Sequence, residues 1–141
     1  MIFKFYPQRA FATLLFAGML LSFCLPISAA PLLRCFVTYA GATQEVQAHP
    51  VADPYSVPSM DIAGRFRFKA VMVGSAQKIQ VINLYAYLDA KRQPILIQQA
   101  KYLPPYTNTS RPYNLTGQQY LYASEVEREL QYHCTLEGIA P

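Results

Sequence analysis

Tryptophan is absent from this chain, histidine occurs twice and cysteine three times. Each shortage removes a class of function. No two cysteines stand as C-x-x-C, so no thioredoxin-like redox motif is present. There is no G-x-S-x-G, and Gly74-Ser75 sits in an ordinary turn. Two histidines in unrelated segments give no Ser–His–Asp arrangement. The chain reads as a non-enzyme, and no cofactor is expected. Lysines and arginines form no cluster of the nucleic-acid type, so no nucleic-acid partner is expected. There is no internal repeat.

The longest apolar run, Ala10 to Leu25, falls short of the ~20 residues that span a membrane. Its surroundings read as an export signal. Lys4 and Arg9 precede it, Pro26 ends it, and Ser28-Ala29-Ala30 supplies small residues for a signal peptidase. Pro31 fits a protease badly just past the scissile bond, having a fixed φ and no N–H. Cleavage after Ala29 is therefore expected, giving a leader over residues 1–29 and one domain over 30–141. Leu21-Ser22-Phe23-Cys24 resembles a lipobox, but Phe23 is too large to precede a lipidated cysteine. The expected location is a bacterial periplasm. Secretion, or anchoring through an uncleaved leader, is the alternative, and the leader is the only membrane contact expected.

Removing the leader leaves Cys35 and Cys134. In an oxidising compartment an even pair reads as one structural disulfide. A metal site would need further ligands. Closing a loop of about 100 residues stabilises by roughly 4–5 kcal/mol in the chain-entropy model.

The remaining length suits one domain with one core. Two of the twelve basic residues lie in the leader, leaving ten against eight acids, so the domain is nearly balanced. Tyrosine dominates its aromatics, which favours strands and half-wet surfaces.

Alternation with period two recurs, and helical periodicity does not. Leu33, Cys35, Val37 and Tyr39 share one parity, and Gly41 begins a turn. Gln44 to His49 is a second strand. Pro50 to Pro58 holds three prolines and reads as an edge or a long loop. In Arg65 to Val73, Phe66, Phe68, Ala70 and Met72 point inward. Ile79 to Leu88 is apolar on both parities, as in a strand covered on both faces. Asp89 to Pro94 turns the chain into a strand from Ile95 to Tyr102. Leu103 to Gly117 reads as a loop, Gln118 to Ala123 as a short strand, and Glu127 to Leu136 as a longer one. Ser124-x-x-Glu127 matches a helical capping box, but Leu130, Tyr132, Cys134 and Leu136 alternate as in a strand.

These seven strands predict an all-β, antiparallel, immunoglobulin-like β-sandwich; a small closed β-barrel is the alternative. The Cys–Trp–Cys pattern of true immunoglobulin domains is missing, and the bridge would join terminal strands.

Three features carry functional expectations. The loop places Tyr102, Tyr106 and Tyr113 beside Asn108, Arg111 and Asn114, a paratope-like mixture of rigid aromatic area and adaptable hydrogen-bonding groups. Tyr102, Tyr106, Arg111 and Tyr113 are the candidate partner-binding residues. The competing reading is that the tyrosines cap the core. Asn108-Thr109-Ser110 and Asn114-Leu115-Thr116 match glycosylation sequons, which matter only in a eukaryotic source. Arg65, Arg67 and Lys69 form a basic stripe, and Glu125, Glu127 and Glu129 an acidic one. Each is read as a solvated face or a set of cross-strand ion pairs, or else as a docking face. His49 and His133, with Met60 and Met72, are the residues a copper or zinc site would draw on. The function expected is an exported, non-enzymatic binding or accessory domain contacting another exported or envelope protein. A metal- or small-ligand-binding protein is the alternative.

Overall fold

The computed structural model describes residues 2, 30–123 and 128–139. The leader apart from Ile2, and Ser124, Glu125 and Glu127 with the capping box and most of the acidic stripe, lie outside the described residues. Ten strands run in order: β1 (Leu32–Tyr39), β2 (Ala42–Ala48), β3 (Pro50–Val51), β4 (Met60–Ile62), β5 (Phe66–Gly74), β6 (Ile79–Asp89), β7 (Pro94–Tyr102), β8 (Tyr113–Asn114), β9 (Gln119–Ala123) and β10 (Arg128–Glu137). Three of them, β3, β4 and β8, are two- or three-residue pieces, which explains the excess over seven.

Sheet A has the order β2–β1–β10, with β8 and β9 sharing the far side of β10. Sheet B has the order β5–β6–β7, with β3 and β4 sharing the outer side of β5. The two sheets pack face to face as a β-sandwich, and no barrel closes. Every pairing is antiparallel except β3 with β5.

Local sequence explains the turns and the pairing. Ala40 and Gly41 connect β1 to β2 with φ of 51° and 81°, the doubly positive conformation of the tight hairpin that suits strand twist. The segment from Pro50 to Pro58 is both things expected of it. Pro50–Val51 is an edge piece, Pro54–Ser56 forms a short 3-10 turn, and the rest is irregular. Tyr113–Asn114, expected as loop, pairs with Leu136 and Thr135 as β8.

Alternation delivers the core. Leu33, Cys35 and Val37 from β1, and Leu130, Tyr132, Cys134 and Leu136 from β10, are buried. Phe66, Phe68, Ala70 and Met72 from β5, and Ile82, Leu84, Ala86 and Leu88 from β6, face them. The Phe68 and Tyr132 rings meet between the sheets at 5.0 Å, and Tyr39 lies edge-on to Phe66 at 5.2 Å. Arg128 donates to the Tyr39 hydroxyl at 2.6 Å.

Cys35 and Cys134 are bonded to each other. They are directly opposite in the β1–β10 register, with Cα atoms 4.0 Å apart. The Cys134 backbone bonds away from β1: its N–H donates to Thr116 Oγ1 and its carbonyl accepts from Leu115 N–H, both at 2.9 Å. The two cysteines thus form a non-hydrogen-bonded pair, the class in which opposing side chains come closest. The bridge lies inside sheet A, on its core face.

Candidate functional site

The loop tyrosines resolve first. Tyr102, Tyr106 and Tyr113 are half-buried and pack against the core. The Tyr106 hydroxyl donates to the Tyr102 carbonyl at 2.8 Å, and Thr107 N–H donates to the Tyr113 hydroxyl at 3.3 Å. Burial raises the pKa of Tyr102. It also raises that of Tyr106, with Tyr113 adding to the effect and a backbone hydrogen bond opposing it. These three side chains come together as a cap on one end of the sandwich and pin the loop from inside. Arg111 stays outside this cluster and is exposed, its N–H held by Thr109 Oγ1 at 3.0 Å. Leu103 at the loop's start is also exposed.

The other candidates separate. His133 stacks on Phe36 with centroids 5.1 Å apart on the outer face of sheet A, while His49 lies beyond the end of β2. Met72 is in the core and Met60 is exposed. Among the described residues no three His, Cys, Asp or Glu side chains converge. Glu129 of the acidic stripe accepts from Gln131 Nε2 at 2.7 Å. On the basic stripe, Arg67 pairs with Asp89 at 3.3 Å, as a cross-strand ion pair would. Lys69 has no ion pair among the described residues.

Lys69 leads to a site that sequence reasoning missed. The outward residues of β5 are Arg67, Lys69 and Val71, and in register beside them on β6 stand Tyr87, Tyr85 and Asn83. Over this face runs a strap, residues 52–59. Both its ends are clipped to β5: β3 pairs with Met72 and Val73, and β4 with Phe66 to Phe68. The strap is stiffened by Pro54 and Pro58 and by its own hydrogen bonds. Asp53 accepts from Tyr55 N–H, and Ser56 Oγ donates to the Asp53 carbonyl, both at 2.9 Å. Val71 shows the cover directly. It points away from the core and does not belong to it, yet it is only 1% exposed.

Strap and sheet enclose a hollow of about 400 Å³, within the usual range of small-molecule sites. Lys69, Val71, Asn83, Tyr85 and Tyr87 line it, and Pro54 and Tyr55 form its rim. A second, smaller hollow of about 210 Å³ shares Lys69 and Tyr87 with it and is lined further by Val57, Ser59 and Pro94. The Tyr85 and Tyr87 rings lie side by side, 6.3 Å apart and 19° from parallel. Burial raises the Tyr87 pKa, with Tyr85 adding to it, so the Tyr87 hydroxyl is a neutral donor at physiological pH. Asn83 is 9% exposed, and its Oδ1 is buried without a hydrogen-bond partner among the described residues. A buried acceptor left unpaired costs about 1–3 kcal/mol.

A signal for this site did exist. Between Val81 and Leu88, Asn83 is the one amide in an otherwise apolar and aromatic run, and Tyr85 and Tyr87 share its parity. The covering strap carried no legible pattern. The chain matches no protein-family model, no curated protein and no solved structure.

Proposed function

We propose that this protein is an exported, non-enzymatic binding or accessory domain that works by contact with another exported protein in the periplasm. The Cys35–Cys134 disulfide fits an oxidising compartment, and no helix among the described residues is long and apolar enough to cross a membrane.

One observation carries the reading. Tyr120 and Tyr122 on β9 are each 62% exposed. They share the outer face of sheet A with Gln131 and Glu129, on a lane that is paired only to β10 among the described residues. Rigid aromatic area on a sheet edge is low in ordering cost and rich in contact area, which is what interface anchors need. The loop leading into this lane adds the exposed Leu103 and Arg111, held in place by Tyr102, Tyr106 and Tyr113. In this reading the tyrosines of the loop position the contact, and Arg111, Tyr120 and Tyr122 make it.

A photo-crosslinking residue at position 120 or 111, tested in intact cells, should yield one dominant adduct with an exported protein. The same residue at Thr43, on the opposite edge, should not. Replacing Tyr120 and Tyr122 with Ala should weaken the complex by about 1–3 kcal/mol each without lowering Tm. Equal adducts from both edges would end the proposal. N-terminal sequencing of the exported protein should begin at Ala30.

A further inference from the structure

Tyr85 and Tyr87 offer two nearly parallel rings beside a strap that walls them on one side. Three chemical demands meet in this groove. The buried Asn83 Oδ1 lacks a hydrogen-bond donor. The Lys69 ammonium lacks an anion among the described residues. Lys101, exposed and opposite Asn83 in the register, adds a second cation on the same face. The aromatic rings need an apolar surface of matching flatness.

Few ligand classes meet all three. A simple inorganic anion satisfies Lys69 but brings no apolar face, and an apolar molecule leaves both Asn83 and Lys69 unanswered. A sugar acid carries hydroxyl donors, a carboxylate and a flat C–H face in one ring. The second hollow, which shares Lys69 and Tyr87 with the first, offers room beside it for more than one ring. A volume of about 400 Å³ suits a small ligand; a folded protein partner needs a broad surface.

We propose that the groove between the strap and the outer face of sheet B binds a short acidic saccharide. Tyr85 and Tyr87 stack against the sugar rings, Asn83 Oδ1 accepts a hydroxyl and Lys69 holds a carboxylate. This site lies on the face opposite Tyr120 and Tyr122, so it stands or falls independently of the protein contact proposed above.

The test is calorimetric titration of the purified protein with trigalacturonate, maltotriose and inorganic phosphate, paired with thermal melts. Trigalacturonate should bind, and maltotriose and phosphate at least tenfold more weakly. Lys69→Gln should weaken trigalacturonate at least tenfold and remove the preference over maltotriose. Asn83→Leu should weaken it at least tenfold while Tm stays level or rises, because leucine removes an unpaired buried acceptor. If the leucine variant melts lower, Lys69→Gln and Tyr85→Ala, both partly exposed, still report on the site. Absence of trigalacturonate binding would overturn the proposal. So would phosphate or maltotriose binding equally well, or Lys69→Gln and Tyr85→Ala leaving affinity unchanged.

Discussion

The outer faces of the two sheets are built on opposite terms. Over the central strands of sheet A, polar groups answer one another. Arg34 reaches Glu137 at 3.2 Å and Glu45 at 3.5 Å. Gln47 donates to Glu45 at 2.7 Å, and the Thr38 and Thr43 hydroxyls share a hydrogen bond at 2.8 Å. Over sheet B, one ion pair closes the end, Arg67 with Asp89, and the middle is left open. That middle is partly covered by the strap, which leaves Asn83 9% exposed and Lys69 half-exposed. A face that satisfies itself in solvent gains little and asks for nothing. A covered face with an unpaired acceptor holds a cost that a ligand or an ordered water offsets.

The largest expected effect breaks the symmetry of support. Sheet A is stapled by Cys35–Cys134, and sheet B has no covalent tie. Replacing both cysteines with alanine should lower stability by about 2–4 kcal/mol, read from denaturant midpoints at constant slope. A loss under about 1 kcal/mol would mean that the β1–β10 register holds without the bond.

Val71→Ala tests the roof. Val71 is buried outside the core, so losing two methyl-sized groups should cost about 1.5 kcal/mol. Amide exchange should quicken in residues 52–59 well before it does in β6. Uniform quickening would show that the strap has no separate stability.

Tyr132→Phe tests the tie between sheets. The Tyr132 hydroxyl, in sheet A, donates to Gln98 Oε1 of sheet B at 2.7 Å. The phenylalanine should cost about 1 kcal/mol near neutral pH. Burial, with help from Tyr102 and against the Gln98 bond, pushes the Tyr132 pKa from 10.0 up to about 12. The folded protein therefore keeps a proton that the unfolded chain releases. Stability from this group is complete below pH 10 and falls as pH rises towards about 12. The variant should show a shallower alkaline decline in Tm, and an identical decline would assign the effect elsewhere.

The smallest effect belongs to the self-satisfied face. Arg34→Gln breaks two ion pairs whose partners are more than a fifth exposed, and should cost under about 1 kcal/mol, less at high salt. A loss above 2 kcal/mol would show that sheet A's surface is more than a solvated network.

Where burial follows parity, the sequence spoke clearly. Leu33 to Tyr39, Phe66 to Met72 and Leu130 to Leu136 all alternate, and all three segments are strands with the expected residues inward. The apolar character of β6 on both parities suggested cover on both faces, but its outward Val81, Tyr85 and Tyr87 are only half-buried, and the strap is clipped to β5. The strap itself was illegible, because prolines exclude a central strand without saying over which face the chain will pass. Tyr106 and Tyr113 show the same limit. Their composition fitted a core cap better than a recognition loop without excluding either, and only packing shows them half-buried against the core.

The placing of β1 beside β10 has a consequence for the order in which the molecule is made. The first strand to emerge sits in the middle of its sheet, and its bonded neighbour is the last, 99 residues on. Strands β5, β6 and β7 follow one another and close by local turns, which form early because their loops are short. Sheet A therefore waits for the end of the chain with one edge of β1 and Cys35 unprotected, the other edge being paired early by β2. If the chain is exported as proposed, a segment fed through a membrane from its N-terminus stays unfinished, and threadable, until β10 has followed, and locks only on the far side.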